Sequence, residues 1–273
     1  MTSSAFEARR SALNGSIAAE LIRSLLEVPT YVLGPVALYL RPPLSTQPSL
    51  FPMTVDDELL LPMRLREYLF FAEQRLTGDG FDAPVRGVSR QHLDVEGYAS
   101  LLEQRHDGAL AIIYAARMTN SRHVNATVLL HSGFSDGTIL ATTNSQLPSR
   151  MPPLPEMHGL AFPDVDDPAE LYGLHRIRAG ERGRRVVRVP MTRGADPFAY
   201  QARENARVFE HWVRRGYYRR IGGDKLRCTL RGAALSVWRG MFPWRHVTAY
   251  TQARERAAVL RRRESGGVPR KSA

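Results

Sequence analysis

The sequence predicts an α+β protein in which N-terminal helices pack on a small antiparallel sheet, followed by a C-terminal helix–β-hairpin–helix (winged-helix-like) module. Three patterns predict this fold: apolar residues at helical spacing near the N-terminus, an Asp-Gly pair between two apolar runs, and a basic hairpin between two helices. The predicted boundaries are residues 1–165 for the α+β domain, 166–260 for the basic module and 261–273 for a disordered basic tail.

The N-terminal part predicts two helices. Apolar residues repeat at helical spacing from Ser16 to Val28, before Pro29, and again over Leu59–Leu76. The most apolar run, Leu25–Leu40, contains an acidic residue and two prolines. Because it is shorter than the roughly 20 residues that a membrane-spanning helix needs, we predict no span.

The middle of the chain predicts a sheet. Ala109–Ala115 is an apolar strand, and two further apolar segments flank Asp136-Gly137. An Asp-Gly pair favours a tight hairpin, because glycine readily adopts the positive φ that such turns require. We therefore expect Thr127–Leu130 to pair antiparallel with Ile139–Thr142.

The C-terminal part predicts helices and a second hairpin. Asp167-Pro168 and Asp196-Pro197 are typical helix starts, since the aspartate accepts hydrogen bonds from free backbone N–H groups and proline fits the first turn. Tyr217–Ile221 and Lys225–Leu230 flank a Gly-Gly-Asp turn, and the alternation in the second strand places Cys228 on the apolar side. A buried cysteine behaves as a small hydrophobic residue, so we interpret Cys228 as a core residue.

The charge is unevenly distributed along the chain. Residues 1–170 hold 13 arginines and 20 acidic residues, a net charge of −7, whereas residues 171–273 hold 25 basic and 7 acidic residues, a net charge of +18. Guanidinium groups suit phosphate and carboxylate, so the basic third predicts an anionic partner. That partner is either an anionic membrane surface or nucleic acid; the sequence identifies no protein partner.

We favour a noncatalytic protein that attaches to an anionic membrane surface through the basic module, in the cytoplasm and peripheral to the inner membrane. The residues expected to contact the anionic surface are Arg214, Arg215, Arg219, Arg220, Lys225, Arg239 and Arg245. The aromatic residues expected at the membrane interface are Trp238, Phe242 and Trp244, because aromatic rings beside guanidinium groups suit the headgroup boundary.

Two alternatives remain open. The first is a nucleic-acid-binding protein that uses the basic hairpin as a wing. The second is an enzyme whose site is assembled from scattered residues such as His131, Thr143 and Asn144.

The sequence favours a noncatalytic protein over an enzyme, because it holds no nucleophile elbow, phosphate-binding loop or dinucleotide-binding fingerprint. No cofactor and no metal are predicted. The closest histidine–carboxylate pairs, His92 with Asp94 and His106 with Asp107, lack the spacing that places two metal ligands on one helix face.

Turn and cap motifs recur over about residues 90–260. They are Phe134-Ser-Asp-Gly-Thr-Ile-Leu-Ala-Thr-Thr-Asn-Ser, Pro152-Pro-Leu-Pro, Phe162-Pro163, Asp167-Pro-Ala-Glu-Leu-Tyr-Gly-Leu-His175, Gly216-Tyr217, and Leu226-Arg-Cys-Thr-Leu-Arg-Gly-Ala-Ala-Leu-Ser-Val-Trp238 with Phe242-Pro243. Together these segments resemble a family of uncharacterised bacterial proteins with no assigned activity. The resemblance supports the predicted domain organisation and assigns no mechanism.

Overall fold

A computed structural model describes residues 28–46, 50–92, 95–118, 124–145, 151–183, 186–189, 192, 196–241 and 244–265. The chain divides into two compact units. Unit 1 comprises Met1–Leu44, Arg150–Pro152 and Trp212–Ala249, and unit 2 comprises Ser45–Ser149, Pro153–His211 and Tyr250–Ala273. The helix predicted from Ser16 lies outside the described residues except for Val28, and the described chain is helical from Val28 onward.

In the described part of the chain the helices are α1 (Val28–Tyr39), α2 (Val55–Leu60), α3 (Met63–Gly78), α4 (Pro168–Gly183), α5 (Pro197–Arg214), α6 (Leu230–Arg239) and α7 (Trp244–Glu264). The strands are β1 (Leu44–Ser45), β2 (Leu50–Pro52), β3 (Val85–His92), β4 (Val95–Gln104), β5 (Ala109–Met118), β6 (Val124–Phe134), β7 (Ile139–Thr143), β8 (Met157–Ala161), β9 (Arg188–Val189), β10 (Tyr218–Arg220) and β11 (Lys225–Cys228).

Unit 2 is built on a large mixed sheet. Its strands follow the order β2-β3-β4-β5-β6-β7-β8, and β9 pairs with the end of β6. All of these pairings are antiparallel except that of β7 with β8, which is parallel. The 13 residues between β7 and β8 are enough for a crossover, which a parallel neighbour requires.

The central strands are buried on both faces. Along β5, Ala111 and Ile113 belong to one apolar cluster, and Leu110 and Ile112 belong to another. The first cluster also holds residues of α3 and α4, and the second holds Tyr200 of α5. A strand covered on both faces is expected to be continuously apolar, which explains the uninterrupted run in β5.

The predicted antiparallel hairpin across Asp136-Gly137 is confirmed, but its pairing lies closer to the turn than predicted: residues 129–133 pair with residues 139–143, so Thr127 and Val128 of the predicted segment do not pair with β7. Leu130 lies opposite Thr142, and Gly133 lies opposite Ile139. Gly137 adopts a φ of 82° in the turn, and Asp136 accepts a hydrogen bond from the backbone N–H of Thr138 at 2.9 Å. The turn chemistry therefore determines the register of this pair.

Both predicted Asp-Pro helix starts are also confirmed. The carboxylate of Asp167 accepts from the backbone N–H of Ala169 at 3.0 Å, at the start of α4. Asp196 accepts from the N–H of Ala199 at 2.9 Å, at the start of α5. These bonds satisfy N–H groups that the first helical turn leaves without partners.

Unit 1 contains a smaller sheet with the order β1-β11-β10; the division between the units falls within β1. The predicted C-terminal hairpin is confirmed as β10 and β11, with Tyr218 opposite Cys228. Helix α1 packs against α6 and β11. At the start of α6, Thr229 accepts from the N–H of Gly232, and this glycine is packed tightly, because a Cβ there would lie 2.0 Å from the carbonyl oxygen of Tyr217.

The α+β mixture is confirmed, but the predicted arrangement of its elements is wrong. The sheet is neither small nor purely antiparallel, and helices are interspersed from α1 to α7 instead of preceding it. The winged-helix-like module is also wrong, because β11 pairs with β1 from the N-terminal part and α5 lies in unit 2 except for its last three residues. Alternation within a hairpin predicts its two strands but does not identify the third strand that satisfies its free edge.

Candidate functional site

The residues predicted to contact an anionic partner all belong to unit 1. We define them as the basic surface: Arg214 at the end of α5, Arg215 after it, Arg219 and Arg220 on β10, Lys225 at the start of β11, Arg239 at the end of α6 and Arg245 in the first turn of α7. Arg239 and Arg245 are half-buried, and the other five side chains are exposed.

The hairpin of unit 1 brings two arginines together. The alternation along β11 buries Leu226 and Cys228 and leaves Lys225 and Arg227 on the other side. The register places Arg227 directly opposite Arg219 of β10. Like charges opposite each other on neighbouring strands are destabilising, so this pair is not explained by stability.

The described residues provide no carboxylate within salt-bridge distance of most of these side chains. This holds for Arg214, Arg215, Arg219, Lys225, Arg227 and Arg239. Residues 28–44 and 212–249 together hold ten basic residues and one acidic residue, a net charge of +9. Within the described residues, the positive charge is therefore concentrated where few carboxylates pair with it.

Large apolar side chains lie exposed in the same unit. Trp238 on α6 is 45% exposed, and Trp244 at the start of α7 is 58% exposed. Leu33 and Leu40, at α1 and directly after it, are also exposed. The third predicted interface aromatic, Phe242, lies outside the described residues.

Unit 2 contains a buried polar network centred on His175 of α4. The Nε2 atom of His175 lies 2.9 Å from the Ser132 hydroxyl, and its Nδ1 atom lies 2.8 Å from the Thr142 hydroxyl. Arg178 donates to the same Thr142 oxygen at 2.6 Å. Ser132, Thr142 and His175 are each at most 1% exposed.

Hydroxyl groups satisfy both ring nitrogens of His175. Thr142 Oγ1 accepts from Arg178, which can only donate. Because a hydroxyl oxygen both donates and accepts, Thr142 and Ser132 pair with the neutral His175 ring in either tautomer. Burial, with a smaller contribution from the Arg178 charge, lowers the pKa of His175 well below 6.5, in agreement with a neutral ring.

Arg178 lies at the border between this network and a cavity. Its guanidinium group donates to the carbonyl oxygens of Ala141 at 2.6 Å and His158 at 3.2 Å, in addition to Thr142. Burial lowers the pKa of Arg178 to about 10, while the nearby carboxylates of Glu255 and Glu181 act in the opposite direction. The group remains charged at neutral pH but is partly removed from water.

The cavity beside Arg178 has a volume of about 690 Å³. Its walls come from β7, β8, α4, the segment after α4, and α7. The apolar lining residues are Leu140, Leu160, Val186, Ala258 and Val259, and the polar ones are His158, Arg178, Glu181, Arg182, Glu255 and Arg262.

The three residues suggested for a scattered enzyme site make separate contacts. The Asn144 amide oxygen accepts from the N–H of Val128 at 2.7 Å, and the Thr143 hydroxyl accepts from the N–H of Ser145 at 3.0 Å. His131 is buried, and neither of its ring nitrogens has a hydrogen-bond partner within the described chain. Burial lowers the pKa of His131 to about 4, so the ring is neutral at physiological pH.

Two other residues considered from the sequence, Asp107 and Cys228, have contacts typical of the fold. The Asp107 carboxylate accepts from the Tyr172 hydroxyl at 2.7 Å and forms an ion pair with Arg176 instead of pairing with His106. Cys228 is 8% exposed, and burial raises the pKa of its thiol, in agreement with a core position.

The structure bears on the metal and membrane-span predictions in the described ranges alone. Within them, no group of three or more His, Cys, Asp or Glu side chains is placed to hold a metal ion. Nor does any described helix have both the length and the apolar character needed to cross a bilayer.

No sequence pattern assigned a site role to His175 or Arg178 or indicated the cavity. A signal was present, since Leu171, Leu174 and His175, followed by Arg178, repeat at helical spacing after the Asp-Pro start. Such a stripe places a histidine and an arginine on the buried face of a helix. Their partners come from β6 and β7, and pairings this distant in sequence cannot be read from the spacing within α4.

Comparison with known proteins identifies no relative: no family model, no curated protein and no solved structure matches the chain. The resemblance to a bacterial family therefore stays a prediction.

Proposed function

We propose that unit 1 attaches the protein to the surface of an anionic membrane through the basic surface and its exposed tryptophans. The observation that carries this proposal is the pairing of Arg219 with Arg227 on a hairpin without a carboxylate partner for either in the described chain. A hairpin selected only for stability would place opposite charges at these positions. An anionic headgroup between the two guanidinium groups supplies the missing countercharge.

The exposed apolar side chains favour lipid over nucleic acid. Leu33, Leu40, Trp238 and Trp244 expose apolar area in the same unit as the basic surface. Single-stranded nucleic-acid sites combine basic grooves with stacked aromatic rings, whereas a bilayer accepts exposed leucine and tryptophan together at the headgroup boundary. The winged-helix geometry that supported DNA binding is also lacking.

The expected binding energy is sufficient for reversible attachment to an anionic membrane. Each arginine near an anionic bilayer contributes on the order of 1 kcal/mol, so a few of them acting together give reversible attachment. Insertion of a tryptophan ring adds the free energy of removing its apolar area from water, about 25 cal/mol per Å². The electrostatic part should weaken as added salt shortens the Debye length.

The test is cosedimentation of the full-length protein with vesicles of phosphatidylglycerol and phosphatidylcholine, compared with pure phosphatidylcholine vesicles. We expect the protein to bind the anionic vesicles, with an affinity that falls as the salt concentration rises from about 50 to about 500 mM, because the shorter Debye length screens the attraction. Trp244→Ala should weaken this binding by about tenfold, because the exposed ring would lose its inserted area. Phe70→Ala is the matched control, since Phe70 is an exposed aromatic of α3 in unit 2 and is 54% exposed.

A gel shift with double-stranded DNA distinguishes membrane attachment from nucleic-acid binding by the basic surface. If unit 1 binds lipid, Trp244→Ala should leave any weak, salt-dependent DNA binding unchanged. Failure to bind anionic vesicles at low salt would overturn the proposal. Tight DNA binding without vesicle binding would assign the basic surface to nucleic acid instead.

A further inference from the structure

We infer that the cavity of unit 2 binds a small organic carboxylate with an apolar body, held by Arg178. The inference rests on the cavity, on Arg178 having no direct ion pair within the described residues, and on the apolar part of the lining. It does not depend on the membrane proposal, because every lining residue belongs to unit 2.

The charges around the cavity leave one arginine without a countercharge. Arg262 pairs with Glu181 at 2.6 Å, and Arg182 pairs with Asp136 at 2.7 Å. Arg178 contacts carbonyl and hydroxyl oxygens, and no carboxylate of the described chain lies within salt-bridge distance of it. A partly buried charge in this situation is costly unless a ligand neutralises it.

Arg178 also has donors to spare. A guanidinium group carries five N–H donors, and three of them are used, two on Nη1 and one on Nη2. The remaining donors, on Nε and Nη2, have no partner among the described residues. Two donors on adjacent nitrogens match the two oxygens of a carboxylate, which arginine binds in a bidentate manner.

The network behind Arg178 holds the guanidinium group in place. Thr142 accepts from Arg178 and is itself hydrogen-bonded to His175, whose other ring nitrogen is hydrogen-bonded to Ser132. All three supporting side chains are buried. Such a shell positions a binding group before the ligand arrives and lowers the entropy lost on binding.

The size and lining of the cavity define the rest of the ligand. A volume of about 690 Å³ lies within the range of small-molecule sites. The lining is mixed, with five apolar and six polar side chains, and its apolar part includes the almost fully buried Leu140, Leu160 and Val259. A carboxylate with an aliphatic or aromatic body matches Arg178 at one end and these side chains at the other.

Replacing Glu255 tests whether the ligand is a simple anion or also carries a positive charge. Glu255 lines the cavity, and its charge acts on Arg178, but the two side chains do not form a salt bridge in the described structure. An anionic ligand beside Arg178 is repelled by this carboxylate, whereas a ligand that also carried a cation would be attracted to it. Neutralising Glu255 should therefore strengthen the binding of a simple carboxylate.

The experiment is calorimetric titration of the full-length protein with octanoate, and with octan-1-ol as the neutral analogue of the same length. We expect saturable octanoate binding and at least about tenfold weaker binding of the alcohol, because a charged hydrogen-bonded pair is lost. Arg178→Lys keeps the charge but loses the two-donor fork, so binding should weaken by about tenfold. Glu255→Gln should bind octanoate more tightly than the wild type.

A cavity-filling variant locates the site without altering Arg178. Ala258 lines the cavity, and Ala258→Trp should abolish octanoate binding. Glu255 is exposed, so its replacement keeps the protein folded even if a change at Arg178 does not. Absence of saturable binding, equal binding of octanoate and octan-1-ol, unchanged binding in Ala258→Trp, or weaker binding in Glu255→Gln would each overturn the inference.

Discussion

The two units differ in how many of their arginines have a carboxylate partner. In unit 2 many arginines form ion pairs, although Arg178 has none in the described part of the chain; the pairs include Arg75–Asp167, Arg86–Glu73, Arg176–Asp107, Arg207–Glu156, Arg262–Glu181 and Arg263–Glu170. In unit 1 most members of the basic surface have no such partner within the described residues.

The charge counts agree with this difference. Unit 1 holds 14 basic and 4 acidic residues, a net charge of +10, whereas unit 2 holds 24 basic and 23 acidic residues, a net charge of +1. A general preference for arginine over lysine acts on both units alike, so it does not explain this difference. The difference is what the proposed attachment of unit 1 to an anionic surface expects.

The largest expected effect concerns the buried ion pair of unit 2. Glu73 is 4% exposed and accepts from Arg86 at 2.6 and 2.9 Å and from the Ser100 hydroxyl at 2.7 Å. Glu73→Ala removes the buried one of the two carboxylates that pair with Arg86; the other, Glu58, lies at 2.7 Å and stays in place. We therefore expect a loss at the low end for a broken buried pair, about 3 kcal/mol in the free energy of unfolding. Urea denaturation measures it, and a loss below about 1 kcal/mol would show that this pair does not support unit 2.

The next effect tests the packing of unit 1. A Cβ at position 232 would lie 2.0 Å from the Tyr217 carbonyl oxygen, so Gly232→Ala should destabilise the protein by about 2 kcal/mol. Gly173→Ala in α4 is the matched control, because nothing lies within 4 Å of the added methyl group. That helical substitution should stabilise the protein by about 0.5–1 kcal/mol. Equal effects of the two substitutions in thermal denaturation would contradict the packing described for α6.

A smaller effect concerns the unpaired His131. His131→Leu removes a buried ring without hydrogen-bond partners and should stabilise the protein by about 1 kcal/mol at pH 7.5.

The same variant should change the pH dependence of stability. The pKa of His131 is about 4 in the folded protein, below its value of about 6.5 in the unfolded chain, so the unfolded chain binds the proton more strongly. The pH-dependent part of the stability that comes from His131 is fully present above about pH 6.5 and is lost as the pH falls toward 4. Over this range the free energy of unfolding falls by about 1.4 kcal/mol per pH unit. Between pH 7.5 and 5 the wild type should therefore lose about 2 kcal/mol more than His131→Leu. Parallel pH profiles of the two proteins in urea denaturation would show that His131 is not neutral and buried.

The smallest expected effect on stability concerns an exposed arginine of unit 1. Arg215 is exposed and has no carboxylate partner in the described chain, so Arg215→Gln should change the free energy of unfolding by less than about 0.5 kcal/mol. A loss comparable to that of Glu73→Ala would mean that the arginines of unit 1 also serve the fold.

Local chemistry was predictable from the sequence, and long-range pairing was not. The Asp136-Gly137 turn and the Asp167-Pro168 and Asp196-Pro197 helix starts depend on residues that are neighbours in the chain, and all three are confirmed. The pairing of β1 with β11 joins segments about 180 residues apart, and no periodicity within either segment encodes it.

The candidate sites divide in the same way. The basic surface was visible as a charge excess in the sequence, although its like-charged pair required the hairpin register. The cavity was not visible, because Arg178, Leu140 and Val259 come from three elements that only the fold brings together.

The most direct test of the comparison is to remove the same charge from each unit and measure vesicle binding. Arg214, Arg215 and Arg219 are replaced by Gln in unit 1, and in a second variant the exposed Arg64, Arg254 and Arg261 are replaced in unit 2. Both variants lose three positive charges, but only the first loses them from the basic surface. We predict that binding to anionic vesicles weakens on the order of 100-fold in the first variant, from about 1 kcal/mol per arginine, and less than about threefold in the second. Equal losses in the two variants would show that net charge alone drives binding and would contradict the assignment of the site to unit 1.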